Sequence, residues 1–275
     1  MALDNPAFSR NSAFSQQGAT AAAQNVSAQQ LQEMYNQPAT LPDREVMTVE
    51  NTVAKTAAAF AVLVVFAAVG WMLTPSMPWV FWAFSIVGFV LALVNIFKKE
   101  PSPALILAYA GAQGVFLGGI SLIYETQWSG IIAQAVIGTI AVFGVTLALF
   151  ASGKVRASKR ATKVFMIAMI GYLVFGLINL VMMMFGAFSG PDSAGPFGIY
   201  SVQLFGWLPL GLVIGVVVVI MAAYSLVLDF DQIQQGVRNG APRQYGWLGA
   251  FGIMVTVVWL YVEILRILAI LRGDN

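Results

Sequence analysis

The sequence contains no cysteine and no histidine. The lack of cysteine excludes disulfide bonds, a thiolate nucleophile and any cysteine-based metal site. The lack of histidine removes the usual proton acceptor near neutral pH, and both absences together exclude Ser/His/Asp and Cys/His catalytic arrangements. No phosphate-binding glycine loop occurs, and the acidic residues form no recognisable aspartyl hydrolase motif. We therefore expect a protein that is not an enzyme, has no cofactor and binds no nucleic acid.

Charged residues are also scarce. They make up 9% of the chain, against 59% hydrophobic residues and a mean hydropathy of +0.80, whereas about a quarter of the residues in an ordinary soluble protein are charged. This composition excludes a soluble fold and predicts an all-α membrane protein embedded in the lipid bilayer. Seven stretches are long and apolar enough to cross it, at about 53–74, 78–97, 103–124, 130–151, 164–188, 207–228 and 246–271.

The cations fall in alternate loops between these stretches. They are Lys98 and Lys99, then Lys154, Arg156, Lys159, Arg160 and Lys163, then Arg238 and Arg243. Short loops rich in Lys and Arg stay in the cytoplasm, so we expect a multi-pass protein of the plasma membrane with a cytoplasmic amino terminus. Seven spans place the carboxyl terminus outside, whereas six spans would place it inside.

The first 47 residues differ in composition from the rest. They are rich in Ala, Gln, Asn and Ser and too poor in apolar residues to form a core, which predicts a disordered cytoplasmic tail over 1–47. A short helix capped by Ser27 that docks on a partner is the alternative to a solvated tail. Thr48 is a predicted N-cap for the first span, so the transmembrane domain is expected to occupy 48–275.

Four glycines follow one another along the third span, at Gly111, Gly114, Gly118 and Gly119. Helices in lipid gain mainly from close van der Waals contact, and small residues permit it. The spacing therefore favours a helix-packing surface, and the lining of a narrow path is the alternative.

Ionisable residues at membrane depth are functional candidates by default, because each costs roughly 2.5–3.5 kcal/mol to insert. Asp229 and Asp231 lie at the end of the sixth span, two residues apart, so only one of them can face the interior of a bundle. Glu263 and Arg266 lie within the seventh span, three residues apart, where they can neutralise each other. Each acidic residue also has a plain structural interpretation, as a solvated helix end or as a local ion pair.

Three features, in this order along the chain, resemble a known family. GVFLGGIS at 114–121 lies in the third span, a basic loop joins the fourth and fifth spans, and LDFDQI at 228–233 closes the sixth. The chain is similar in these to the Bax inhibitor-1 or YccA-like membrane proteins, the TMBIM superfamily, over about residues 50 to 273. The tail lies outside this likeness but is similar to those of actinobacterial members, which implies a bacterial protein.

The resemblance implies a bundle of six helices around a central, carboxyl-terminal seventh helix, and a calcium leak that depends on pH. The implied gate is a pair of buried aspartates, one in the sixth and one in the seventh helix, that share a proton when the path is closed. An arginine near the cytoplasmic end of the second helix is implied to pair with the first aspartate. Such a gate is physically reasonable, because two nearby carboxylates cannot both ionise cheaply in a low dielectric and carboxylate oxygens suit calcium.

Only one of the two gate aspartates has a single clear counterpart in the present chain. Asp229 matches the sixth-helix aspartate, and the resemblance implies a calcium contact there. The seventh-helix aspartate has two counterparts, since alignment of LYVE at 260–263 gives Glu263 and alignment of LRIL at 265–268 without a gap gives Thr256, which we favour. With Thr256 at this position, the paired-carboxylate gate is absent in its usual form. Glu263 would then lie about 10 Å along the same helix face.

The pairing cation departs from the family pattern as well. Lys98 or Lys99 stands in place of the second-helix arginine. A lysine ammonium is a point charge and lacks the planar guanidinium that can form two parallel hydrogen bonds with a carboxylate. Arg266 is a further pairing cation. Two functions are therefore expected. One is a cation leak path gated by Asp229 and Glu263. The other is a non-transporting regulator that binds other membrane proteins, such as a quality-control protease, through its tail and helix faces.

Overall fold

The computed structural model describes residues 46–186 and 197–273. These residues form seven helices long and apolar enough to cross a membrane, which confirms the all-α fold with seven spans. The helices are α1 Val49–Leu73, α2 Trp79–Phe97, α3 Pro103–Gln127, α4 Ile131–Ala151, α5 Lys159–Met184, α6 Leu210–Arg238 and α7 Gly246–Gly273. The predicted tail up to residue 45, with Ser27, lies outside the described residues.

Short elements join some of these helices. A 3₁₀ helix at Gly198–Ser201 is followed by a hairpin of β1 Gln203–Leu204 and β2 Leu208–Pro209, in which Gln203 pairs with Pro209 and Leu204 with Leu208. A second 3₁₀ helix at Arg243–Tyr245 leads into α7.

The helices differ in how much protein surrounds them. In the most apolar 18-residue stretch of each span, 61% of α3 and 50% of the seventh span are buried, but only 11% of α5. The seventh helix, which the resemblance places at the centre, is thus among the two most buried. Most side chains of α5 are therefore exposed on the surface of this chain.

Helix ends follow local capping chemistry. The Thr48 hydroxyl accepts a hydrogen bond from the Asn51 amide at 3.1 Å, which confirms the predicted N-cap of α1. Ser158 caps α5 in the same way by accepting from the Ala161 amide at 3.2 Å. Helix α5 therefore begins five residues before the apolar stretch that predicts it, and its first turn consists of cations and small residues.

The chain divides into two compact units. Unit 1 contains the described residues up to Gly119 together with Asp229–Met254, and unit 2 contains Ile120–Leu228 together with the chain from Val255 onward. Helices α3, α6 and α7 each contribute residues to both units.

Unit 1 is held together by close contact between α1 and α3. A β-carbon built on Gly114 would overlap the carbonyl oxygen of Leu63, and one on Gly118 would overlap that of Ala67. Only glycine permits this approach. The other two glycines of the stripe face side chains, with Gly111 3.6 Å from the Phe66 ring by the same construction.

The segment before α1 is fixed in unit 1 as well. The Met47 amide donates to the Ala241 carbonyl at 2.7 Å, and Val46 forms a β-bridge with Pro242. The Met47 side chain is buried. The chain therefore enters α1 attached to the loop between α6 and α7.

Unit 2 has its own apolar core. Helices α4 and α7 pack through a cluster of buried residues, Ile131 and Ala135 with Leu265 and Ala269. Small residues again allow contact with α7, since a β-carbon on Gly138 would lie 3.3 Å from Ile264.

Candidate functional site

Two carboxylates are buried in the described part of the chain. Asp229 on α6 is 4% exposed and Glu263 on α7 is 2% exposed. The other acidic residues of the described ranges, such as Glu50 and Glu100, are exposed or half-buried. Because burying a carboxylate in a membrane protein is costly, these two positions define the candidate functional residues.

Asp229 belongs to unit 1 and lies in the interior of α6 rather than at its end, because the helix continues to Arg238. Its carboxylate packs against α7 at Gly252, where a β-carbon would lie 2.9 Å from Oδ1. One turn further along α6, Ile233 packs in the same manner against Gly249. Glycines on α7 therefore provide the space that this part of α6, including the Asp229 carboxylate, occupies.

Asp231 is placed differently. It is half-buried, and its carboxylate accepts a hydrogen bond from the Gln235 side chain at 2.6 Å, one turn along the same helix. The two aspartates thus point to different faces, as their spacing predicts, and Asp229 is the one on the inner face. The interpretation of both residues as a solvated helix end is wrong for Asp229 and agrees better with Asp231.

A cation that the sequence analysis did not single out lies in the same unit. Lys55, in the second turn of α1, donates to the backbone carbonyl of Arg243, and its ammonium lies 5.9 Å from the centre of the Trp247 ring. A lysine near the end of a span is an ordinary feature of membrane helices, which is why no sequence signal distinguishes it. Lys98 and Lys99 lie exposed at the end of α2, and their pairing with the sixth-helix aspartate stays a prediction.

Glu263 belongs to unit 2 and has a dense set of partners. Its Oε1 forms an ion pair with Arg266, and its Oε2 accepts a hydrogen bond from the Tyr172 hydroxyl at 3.1 Å. The Arg266 guanidinium lies over the Tyr200 ring, 3.7 Å from its centre. Sequence spacing anticipates the Glu–Arg pair, but the two tyrosines come from α5 and the following 3₁₀ helix, and no pattern along the chain relates them to α7.

The ion pair is largely shielded from solvent. The side chains of Glu263 and Arg266 are 3% and 12% exposed. Opposite charges three residues apart on one helix cancel locally, which lowers the cost of keeping either charge in an apolar environment. Glu263 therefore lies in unit 2 as half of a neutral pair rather than as an isolated carboxylate.

Thr256, the favoured counterpart of the family's second aspartate, is buried in unit 2 at 4% exposure. Its hydroxyl lies 3.2 Å from that of Ser225 on α6, at hydrogen-bonding distance. A threonine–serine contact holds no ionisable proton near neutral pH. A neutral hydroxyl pair therefore stands at the position for which the resemblance implies a carboxylate.

These two environments permit different chemistry. The Asp229 carboxylate has oxygens of the kind that bind a hard cation, and it can also take up a proton. The two oxygens of Glu263 are held by Arg266 and Tyr172. The described residues contain no group of three or more His, Cys, Asp or Glu side chains able to hold a metal ion.

Comparison with known proteins agrees with the fold. Curated proteins give no match to this chain. The family model described as Bax inhibitor 1 like matches residues 5–273. The match starts well before residue 50, so it includes the tail that the quoted motifs do not reach. Seven membrane-length helices and a match over nearly the whole sequence lead to one conclusion: the chain belongs to the Bax inhibitor 1 like family of multi-pass membrane proteins.

Proposed function

We propose that the protein is a pH-sensitive cation leak pathway of the plasma membrane, with calcium as its cargo and Asp229 as its gate. The observation that carries this proposal is the burial of the Asp229 carboxylate, at 4% exposure, inside a helix of membrane-spanning length. A carboxylate within a membrane-spanning helix is costly, by up to roughly 2.5–3.5 kcal/mol at the centre of the bilayer. A packing role does not require this residue type, because apolar residues pack without that cost.

The proposed mechanism depends on the charge state of Asp229. When protonated, the side chain is neutral and does not attract a cation. When ionised, it supplies oxygen ligands to a hard cation such as calcium. Raising the pH through the titration of this group should therefore increase the flux.

Glu263 has a different role in the proposal. Its carboxylate is held within unit 2 by Arg266 and Tyr172. Because its charge is balanced inside unit 2, and because Thr256 cannot share a proton, we assign the pH response to Asp229 alone. The amino terminus is proposed to be cytoplasmic, since the cations lie in alternate loops.

The test is calcium entry into liposomes that contain the purified protein, followed between about pH 6 and pH 8. Asp229→Asn should remove the pH dependence of the flux. Asp231→Asn is the matched control, since it makes the same chemical change two residues away on the half-exposed face, and it should leave the profile in place. Equal effects of the two substitutions, or no flux above that of empty vesicles at any pH, would refute the gate.

A non-transporting regulator that binds other membrane proteins, such as a quality-control protease, is the second candidate. The tail through which such a regulator would bind lies within the family match, which begins at residue 5. Deletion of residues 1–45 should then abolish binding to the purified protease without changing calcium flux. The deletion must stop before Val46 and Met47, because these two residues are bonded to the α6–α7 loop.

A further inference from the structure

The loop between α4 and α5 concentrates positive charge. Five of the fourteen Lys and Arg residues of the chain lie between residues 154 and 163, and no Asp or Glu occurs between Glu125 and Asp192. All five side chains are exposed: Lys154, Arg156, Lys159, Arg160 and Lys163. This long stretch without acidic residues leaves the cations of the loop with no counter-charge close to them in the sequence.

The start of α5 adds to this positive potential. Lys159 and Arg160 occupy the first turn and Lys163 follows one turn later, and the first turn contains no acidic residue. The amino-terminal end of a helix carries a partial positive charge, so cations are unfavourable there and anions are favourable. The chain therefore places three cations where the helix itself already attracts an anion.

The loop also makes contacts within unit 2. The Tyr224 hydroxyl on α6 lies 2.9 Å from that of Thr162 and accepts a hydrogen bond from the Ser158 amide at 3.3 Å. The Arg156 guanidinium lies 4.4 Å from the centre of the Phe150 ring. These contacts attach the start of α5 to α6 and place one cation against α4, which lowers the entropy cost of ordering the site when an anion binds.

We propose that this surface, residues 154–163, is a binding site for the anionic headgroup of a membrane phospholipid. The loop joins two membrane spans, Ile131–Ala151 and Lys159–Met184, so its cations lie next to the ends of these spans, where a bilayer surface is expected. Anionic headgroups are concentrated there, and basic clusters directly beside membrane spans attract them. A free phosphate ion offers the same chemistry but lacks this local concentration.

The test compares lipid retention by the full chain in a non-ionic detergent, measured by native mass spectrometry. Phosphatidylglycerol and phosphatidylcholine with identical acyl chains are titrated separately. We expect phosphatidylglycerol to bind more tightly. The triple substitution Lys159→Gln, Arg160→Gln and Lys163→Gln should weaken its binding by on the order of a hundredfold.

Three further measurements make the test specific. The control Lys98→Gln, Lys99→Gln and Arg238→Gln removes the same number of charges elsewhere and should leave phosphatidylglycerol binding within about twofold of the unmodified chain. Lys159→Arg with Lys163→Arg preserves the charge and should preserve binding. Millimolar inorganic phosphate should not displace the lipid.

The proposal is overturned if both lipids bind the unmodified chain equally, a comparison that needs no substitution to fold. It is also overturned if the two triple variants lose binding to the same extent. Displacement by inorganic phosphate would show a phosphate site instead of a lipid site. None of these results depends on calcium transport, so the site and the proposed leak can fail separately.

Discussion

Replacing Arg266 with methionine should strongly destabilise unit 2, because it leaves the buried Glu263 carboxylate without its cation. The two side chains are 12% and 3% exposed, and removing one partner of a buried ion pair costs about 3–5 kcal/mol. The stacking of the guanidinium on Tyr200 is lost as well and adds about 0.5–2 kcal/mol. The hydrogen bond from Tyr172 offsets none of this, since it is already present in the unmodified protein.

The double variant Glu263→Gln with Arg266→Met separates the effect of the uncompensated charge from the effect of the lost packing of the Arg266 side chain. It removes both charges, so the penalty for a lone buried carboxylate disappears. We expect the single variant to lose at least about 3 kcal/mol of unfolding free energy and the double variant to regain about 2 kcal/mol or more of it.

The assay is unfolding in mixed micelles by increasing sodium dodecyl sulfate, followed by circular dichroism at a fixed pH. Arg272→Met is the control, because Arg272 lies at the end of the same helix and its guanidinium donates to the Ser129 backbone carbonyl rather than to a buried carboxylate. It should cost less than about 1 kcal/mol. Equal stability of the single and double variants would refute the inference that Arg266 compensates Glu263 in the folded protein.

Three further predictions follow from close contacts, and Gly144→Ala is the shared control, since a β-carbon there meets nothing within 4 Å. Gly118→Ala should destabilise the protein by about 1–3 kcal/mol in the same unfolding assay, because the new methyl group overlaps the backbone of α1. Gly252→Ala should weaken the pH dependence of calcium flux in liposomes, as Asp229→Asn does, because its methyl group displaces the Asp229 carboxylate. Tyr172→Phe should cost about 0.5–2 kcal/mol in unfolding free energy by removing one hydrogen bond to the buried glutamate, and an unchanged midpoint would show that the bond is absent in solution.

The existence of the seven helices could be predicted from composition, because a bilayer requires long apolar stretches. The predicted ends of the helices were wrong where polar residues continue a helix. The sixth span is predicted to end at 228, but α6 continues to Arg238. In this extension Phe230 and Ile233 are buried while Gln235 is exposed. When hydropathy is averaged along the sequence, the polar residues of such an amphipathic segment lower the mean and the segment is assigned to a loop. The helical spacing of its apolar residues instead indicates a helix with one buried face.

For the candidate residues, the sequence could predict only the relations between residues on the same helix, which follow from their spacing. The separation of Asp229 and Asp231 shows that one of them is turned inward, but which one depends on the glycines of α7. Likewise, the Glu263–Arg266 pair follows from a spacing of three, whereas the contact of Tyr172 with that pair depends on how α5 packs within unit 2. Contacts between helices distant in sequence leave no periodic signal.

The attachment of Met47 to Ala241 has a mechanical consequence. The chain before α1 is hydrogen-bonded to the loop that ends α6 and begins α7, so a force on the amino-terminal tail is applied to this loop before it reaches α1. A bound partner or a fused domain at the amino terminus would therefore exert a force on the carboxyl-terminal end of α6, the helix that carries Asp229. Tags for purification or imaging are better placed elsewhere when calcium flux is to be measured.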